Sequence, residues 1–196
     1  MNKTFLFIDG TNLYAGQHEL FGPRKYLKFN VFIKEIEKKL KIKFDKIYFY
    51  ASYSPRPKKL SDKAKAYLKN EAIFYKSVKE TESVIFFTGY RSKTSGQEKE
   101  VDVKLTADII TFAFLNKYNK AYLFSGDADF LQALLSVRQF HNEKKLHLLC
   151  LQNKFMYQGI FHFKTHVISF EAGFKSNSLR NVDYVNISEK IVVKNV

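Results

Sequence analysis

Two carboxylates follow directly after an apolar run in the stretch AYLFSGDADFLQAL, which covers residues 121–134. Asp127 and Asp129 stand where the run stops, and the apolar residues after them recur at helical spacing. An aspartate at the start of a helix can accept a hydrogen bond from a backbone N–H that has no partner within the helix. Capping explains Asp127 well and Asp129 only in part. A second role, such as metal binding, requires further acids at the same place.

A second apolar run ends in the same way near the start of the chain. Asp9 directly follows TFLFI in FIDGTNLY, so we predict that it lies at the carboxyl end of the first strand. Gly10 is predicted to allow a tight turn after this strand, and Asn12 to lie near the start of the next helix. In an open parallel sheet, ligands bind at this edge. Asp9 and Asp127 are therefore expected to lie close together.

A third acid, Asp102, begins the predicted helix in KEVDVKLTADII. It shares a helical face with Leu105 and Ile109, so we predict that it points toward the sheet. Lys104 is a secondary candidate for contact with phosphate. The helical period turns it away from Asp102, and pairing with Asp108 at i+4 is the alternative.

Asp9, Asp102 and Asp127 repel one another at one edge of a sheet unless a cation or a proton offsets their charge. Because hard cations prefer carboxylate oxygen, we predict Mg²⁺ or Mn²⁺ rather than zinc. Such a metal lowers the pKa of a bound water and neutralises charge on a phosphate group. The predicted chemistry is hydrolysis of phosphodiester bonds. For each acid alone, a turn, helix-dipole or capping role remains the alternative.

The elements that must position these acids alternate between short apolar runs and helical patterns. The predicted strands are TFLFI, KIYFYAS, VIFFTGY, KAYLFSG, KLHLLCL and HVISFEA. The predicted helices lie in NVFIKEIEKKL, KKLSDKAKAYLKNEAIF, VDVKLTADIITFAFL and ADFLQALLSVRQF. Strands that are apolar on both faces and separated by helices are typical of a parallel sheet covered on both sides. Right-handed crossovers then predict a doubly wound α/β sandwich.

The charge of the chain indicates a polyanionic partner. It has 33 Lys and Arg against 19 Asp and Glu in 196 residues, which gives a formal net charge of +14. Nucleic acid is favoured over a membrane surface as this partner. The apolar run TFLFI is too short to cross a bilayer or to form a secretory core. Cys150 is the one cysteine, so an intramolecular disulfide is excluded and a cytoplasmic location is expected.

Basic residues cluster in two segments that follow predicted strand ends and would flank the acids. They are Arg56, Lys58 and Lys59 after the second strand, and Arg91, Lys93 and Lys99 in the polar loop of residues 91–100. We predict that both clusters contact the phosphates of a nucleic acid. A solvated helix face is the alternative for the first cluster.

The motifs FIDGTNLY, KEVDVKLTADII and LFSGDADFLQAL, in that order, resemble those of the NYN domain, the LabA-like branch of the PIN-like ribonuclease superfamily. The resemblance covers residues 1–170, and residues 171–196 are interpreted as a C-terminal extension that adds an edge strand or an arm. It implies a PIN-like three-layer α/β/α sandwich with a mostly parallel sheet. It also implies Mg²⁺- or Mn²⁺-dependent cleavage of RNA.

The resemblance assigns residues to the site as well. It implies catalytic roles for Asp9, Asp102, Asp127 and Asp129, the first three as metal ligands. The secondary site candidates are Asn12, Ser125, Lys104 and Asp108. One departure from the family pattern is Glu100, which stands where a glycine often precedes the Val-Asp pair and adds a negative charge close to the site.

The sequence leaves two other functions open. A non-catalytic RNA-binding scaffold would account for the basic charge as well as a nuclease does. A haloacid dehalogenase-like phosphatase is indicated by IDGT with a downstream Gly-Asp, but Phe7 stands where its aspartyl nucleophile is required. A homodimer is also left open as the assembly.

Overall fold

The computed structural model describes residues 2–21, 25–56, 59–91, 98–141, 143–149, 151, 169–170 and 192–194. In these residues the strands are β1 (Thr4–Asp9), β2 (Lys25–Leu27), β3 (Lys46–Ala51), β4 (Val84–Thr88), β5 (Tyr90–Arg91), β6 (Glu98–Lys99), β7 (Lys120–Phe124), β8 (Lys145–Leu149), β9 (Ser169–Phe170) and β10 (Val192–Lys194). The helices are α1 (Gly10–Phe21), α2 (Phe29–Leu40), α3 (Asp62–Lys79), α4 (Val101–Phe114) and α5 (Leu131–Phe140), and a 3-10 turn covers Ala128–Phe130.

The main sheet has the strand order β4-β3-β1-β7-β8-β9, and every pairing in it is parallel. The chain builds outward from β1 to β3 and β4, and then returns to the other side of β1 to form β7, β8 and β9. The order therefore reverses between β1 and β7, which is where ligands bind in doubly wound sheets. Asp9 at the end of β1 and the loop after β7 flank this point.

Helices cover both faces of the sheet, which gives three layers. Side chains alternate along β1, so that Leu6 and Ile8 pack with α1, α2 and α3, whereas Phe5 and Phe7 pack with α4 and α5. The predicted α/β sandwich with a mostly parallel sheet is confirmed, and its architecture is that of a PIN-like fold. By the same alternation, Asp9 belongs to the face that α4 covers.

Within the described residues, the predicted strands and helices are found at their expected places, but the short strands β2, β5 and β6 were not predicted. Of the predicted strand HVISFEA, only Ser169–Phe170 lies in the described residues, where it forms β9. The loop expected at residues 91–100 contains a small antiparallel hairpin of β5 and β6. The C-terminal stretch KIVV contributes to β10, which pairs antiparallel with β2 in a separate two-stranded sheet. Strands of two or three residues are too short to show a period in the sequence. None of the helices in the described ranges is both long and apolar enough to span a membrane.

Candidate active site

Asp9 is the last residue of β1, and α1 begins at the next residue, Gly10. A Cβ atom on Gly10 would lie 2.1 Å from Cε1 of Phe49 and 2.9 Å from Cβ of Ala51, both on the neighbouring strand. The chain passes from β1 into α1 without a loop, so the tight turn is present, but the backbone of Gly10 is not in the left-handed region and the turn does not depend on a positive φ. Glycine is required here because only a residue without a side chain lets α1 start against β3.

The carboxylate of Asp9 is 5% exposed and is held on both oxygens. The backbone N–H of Asn12 donates to Oδ1 at 3.0 Å, and the hydroxyl of Ser125 donates to Oδ2 at 2.9 Å. The side-chain oxygen of Asn12 in turn accepts from the N–H of Gly126 at 3.2 Å. These bonds tie the start of α1 to the loop after β7. Asn12 and Ser125, two of the secondary candidates, therefore lie in contact with Asp9, and their part in the site stays a prediction.

The loop after β7 presents Asp127 and Asp129 to solvent. The N–H of Asp127 donates to the Ser125 hydroxyl at 3.1 Å, and Oδ1 of Asp127 accepts from the N–H of Asp129 at 2.9 Å. Asp127 thus caps the 3-10 turn, whereas α5 begins after Phe130 with no side-chain cap. This capping bond involves only Oδ1 of Asp127, so capping does not require the second carboxylate oxygen.

The pKa of the Asp9 carboxyl is raised to about 7, mainly by burial and to a smaller extent by the negative charges of Asp102 and Asp127. The hydrogen bonds from Asn12 and Ser125 act in the opposite direction. Two of the acids that the sequence placed near Asp9 are therefore close enough to affect its ionisation.

Asp102 lies in the first turn of α4, but its side chain is exposed. The prediction that it points toward the sheet is wrong. The face that α4 buries contains Val101, Leu105, Asp108 and Ile109, and Asp102 projects beyond the end of this face toward solvent. From there it acts on Asp9 through its charge.

Asp108 is the acid that α4 buries against the sheet. It accepts hydrogen bonds from the hydroxyl of Tyr50 at 2.8 Å and from Nζ of Lys104 at 2.6 Å. Tyr50 is the register partner of Asp9 on β3, so this pair lies beside the candidate site. The i+4 pairing of Lys104 with Asp108 is confirmed, and contact of Lys104 with phosphate stays a prediction. Tyr50 was missed in the sequence, although it lies at the carboxyl end of a predicted strand as Asp9 does.

The departure from the family pattern at Glu100 coincides with an unusual backbone conformation. Glu100 precedes α4 with φ of 80° and ψ of −27°, which is the left-handed region. Glycine adopts this conformation without the clash that a Cβ atom causes. The residue before α4 therefore has a backbone conformation that suits glycine, and Glu100 adopts it at a cost in backbone strain.

We expect Glu100→Gly to stabilise the fold by about 0.5–1 kcal/mol, because it removes this strain. Glu100→Gln is the matched control, since it removes the charge and keeps the Cβ atom. Urea unfolding of the two variants and the wild type measures the difference. Equal free energies of unfolding for the Gly and Gln variants would contradict the conclusion that the backbone of Glu100 is strained.

A buried carboxylate on α3 fixes the loop after β3. Glu71 accepts from the backbone N–H of Ser54 at 3.0 Å and from its hydroxyl at 2.6 Å, and Glu71 is buried. The loop carries Arg56 and Lys59, which are both exposed, at the same edge of the sheet as Asp9. Glu71 and Ser54 were missed because their pairing joins a loop to a helix 17 residues away.

The remaining basic residues predicted to contact RNA are Lys58, Arg91, Lys93 and Lys99. Lys58 and Lys93 lie outside the described residues, and the side chains of Arg91 and Lys99 do as well. The backbones of Arg91 and Lys99 belong to the β5–β6 hairpin that leads into α4. Contact of these four residues with RNA stays a prediction.

The residues around Asp9 offer oxygen donors alone, which suit a hard divalent cation better than zinc. Within the described residues, however, no three Asp, Glu, His or Cys side chains form a ready-made metal site. Asp102 and Asp127 act on Asp9 through their charges, but both side chains extend toward solvent. The donor chemistry fits Mg²⁺ or Mn²⁺, and coordination by all three acids stays a prediction.

Comparison with known proteins agrees with this geometry. The sequence model of the NYN domain matches residues 3–188. The chain belongs to the NYN domain family. A crystal structure of a protein of unknown function from Vibrio parahaemolyticus is similar to this NYN domain, with a TM-score of 0.57 and 19% sequence identity over 88% of this chain and 94% of that chain. At this identity the likeness establishes the fold alone. No curated protein sequence matches the chain.

Proposed function

We propose that this NYN domain is a ribonuclease that hydrolyses RNA phosphodiester bonds with Mg²⁺ or Mn²⁺. The observation that carries the proposal is the buried carboxylate of Asp9 at the reversal point of the sheet, with Asp102 and Asp127 within electrostatic reach. A carboxylate that is buried and surrounded by like charge costs stability, and such groups cluster at functional sites. Membership of the NYN family supports nuclease chemistry in general.

Asp9, Asp102 and Asp127 are the residues that would hold the cation. When bound, the cation would supply polarisation of the phosphate and a lowered pKa for the attacking water. Asn12 and Ser125 keep the carboxylate of Asp9 in one orientation through their hydrogen bonds. The exposed side chains of Asp102 and Asp127 would complete the cation site from the solvent side, and Asp129 follows Asp127 in the same turn.

RNA is the proposed substrate because the chain carries a formal charge of +14 and presents basic residues at the edge of the sheet that contains Asp9. Arg56 and Lys59 lie on the loop that the Ser54–Glu71 pair fixes. Contacts of this kind bind the phosphate backbone whatever its base sequence. We place the chain in the LabA-like branch on its motif order, and in the cytoplasm on its single cysteine.

The test is a cleavage assay on RNA and DNA oligonucleotides with Mg²⁺, Mn²⁺ or EDTA, in which product ends are identified. We expect cleavage of RNA only with a metal, and 5′-phosphate with 3′-hydroxyl ends, because water attacks phosphorus and the 3′ oxygen leaves. Cyclic 2′,3′-phosphate ends would indicate attack by the 2′-hydroxyl of the RNA and would contradict the proposal. Tight RNA binding without cleavage would favour the non-catalytic scaffold.

Asp127→Asn separates capping from catalysis at one position. Asn keeps the side-chain oxygen that accepts from the N–H of Asp129, so we expect stability in EDTA to change by less than about 0.5 kcal/mol. Cleavage should be lost, and the thermal shift that Mg²⁺ produces should be smaller than in the wild type. Thermal melts with and without Mg²⁺, next to the cleavage assay, measure both effects. Full cleavage activity, with a Mg²⁺-induced thermal shift equal to that of the wild type, would show that Asp127 only caps the turn.

A further inference from the structure

Helix α4 has a second apolar face that points away from the sheet. At 3.6 residues per turn, Val103, Ala107 and Phe114 lie within an arc of about 40°, opposite the face that packs on the sheet. Val103 is 73% exposed and Phe114 is 72% exposed, and Ala107 is exposed as well. We refer to these three residues as the α4 ridge. A helix that is apolar on opposite faces normally has a partner on each of them.

The apolar surface continues at both ends of the α4 ridge. At the C-terminal end, Leu115 is 55% exposed and Phe140 of α5 is 70% exposed. At the N-terminal end, an open cavity of about 380 Å³ is lined by Phe87, Glu100, Val103, Lys104 and Ala107. One end of the α4 ridge thus has protruding aromatic rings, and the other end has a recess large enough to hold one aromatic ring.

The charge of the chain is distributed unevenly between its two helical layers. Helices α2 and α3 contain eight lysines and four acids, whereas α4 and α5 contain two basic residues and two acids. Two copies of a chain with a charge of +14 repel each other through their basic layers. The α4–α5 layer is neutral and apolar, so it is the layer through which two copies can approach.

We propose that the α4 ridge is the interface for a second copy of this chain. A two-fold dimer uses the same surface on both copies, so a residue that contacts a second residue is contacted by it in return. With the two α4 helices antiparallel and the axis near residue 109, Ala107 faces Thr111 of the partner subunit and Val103 faces Phe114 of the partner subunit. Small residues at the centre allow close approach, and each Phe114 reaches the cavity beside the partner's Val103.

Charged substitutions at the two ends of the ridge test the interface and its register together. Phe114→Glu and Val103→Lys each place a charge in the apolar contact, and we expect each to raise the dimer dissociation constant roughly tenfold or more. In the double variant, the new lysine of each copy lies opposite the new glutamate of the other copy, so the dissociation constant should fall back toward the wild-type value. Within one copy, these positions are about 16 Å apart along the helix and cannot pair.

Sedimentation velocity over a range of concentrations measures the mass of each protein against the monomer value of 23.0 kDa. Asn30→Glu is the matched control, because it adds one negative charge at an exposed position of α2 on the opposite layer and should leave the dimer intact. Circular dichroism melts establish that each variant is folded. A wild type that stays monomeric at roughly 100 μM, where even small interfaces associate, would overturn the proposal, as would a dimer that survives both single substitutions. Two dissociating single variants with no recovery in the double variant would overturn the antiparallel register.

Discussion

Asp9→Asn is expected to lower the rate of metal-dependent RNA cleavage by roughly a thousandfold or more, because the substitution removes the buried acid on which the proposed cation site is centred. The variant should fold. The new amide oxygen can accept from the N–H of Asn12 as the carboxylate does, and the new amide nitrogen can donate to the Ser125 hydroxyl, which switches from donor to acceptor. The measurement is the single-turnover cleavage rate at saturating RNA with Mg²⁺ or Mn²⁺.

The same substitution should change how stability depends on pH. Because burial raises the pKa of Asp9, the folded state keeps its proton up to about pH 7, whereas the unfolded chain releases it near the ordinary value of 3.8. In EDTA, the free energy of unfolding of the wild type should therefore fall as pH rises from about 4 to about 7, by on the order of 4 kcal/mol from this residue. Asp9→Asn should lack this decline. Because a cation must displace the proton, the affinity of the wild type for Mg²⁺ should rise with pH through the same range.

Asp45→Asn is the matched control for both measurements. Asp45 accepts from the N–H of Thr4 at the opposite end of β1, so the same change of charge is made beside the same strand but away from the site. Cleavage and the response to Mg²⁺ should stay at wild-type levels in this variant. Wild-type cleavage by Asp9→Asn would show that the reaction does not depend on this carboxylate.

Gly10→Ala is expected to destabilise the fold by about 3 kcal/mol and to lower cleavage with it, since overpacking of a close-packed core usually costs about 1–3 kcal/mol and sometimes more. At an ordinary helical position this substitution stabilises, because alanine has the higher helix propensity. Here the new Cβ atom would overlap the ring of Phe49, and relief requires α1 to move away from β3. That movement would carry the N–H of Asn12 away from Asp9.

A double-mutant cycle with Phe49→Leu locates the clash. Leucine lacks the ring atoms that the new Cβ atom would meet, so Gly10→Ala should cost less in the Phe49→Leu background than in the wild type. Urea unfolding of the four proteins gives the coupling energy. Additive effects would mean that the ring of Phe49 is not what requires glycine, and a stabilised Gly10→Ala would mean that the helix start has room for a side chain.

The sequence alone determined the alternation of strands and helices and the positions of Asp9 and Asp127 at strand ends. Both follow from local patterns, because a buried strand is a short apolar run and the residues after it must lie at its carboxyl edge. The family motifs fixed the order of the acids along the chain. They did not determine which acids are buried.

Only the tertiary structure decided which face of α4 packs against the sheet. Because α4 is apolar on nearly every side, its period is visible in the sequence but the side that faces the sheet is not. Packing against β1 and β3 selected the face that contains Asp108, which bonds to Tyr50, and left Asp102 and the α4 ridge exposed. The raised pKa of Asp9 has the same origin. Burial depends on how the layers pack, and the charges of Asp102 and Asp127 act on Asp9 only because the sheet brings these distant residues toward one edge.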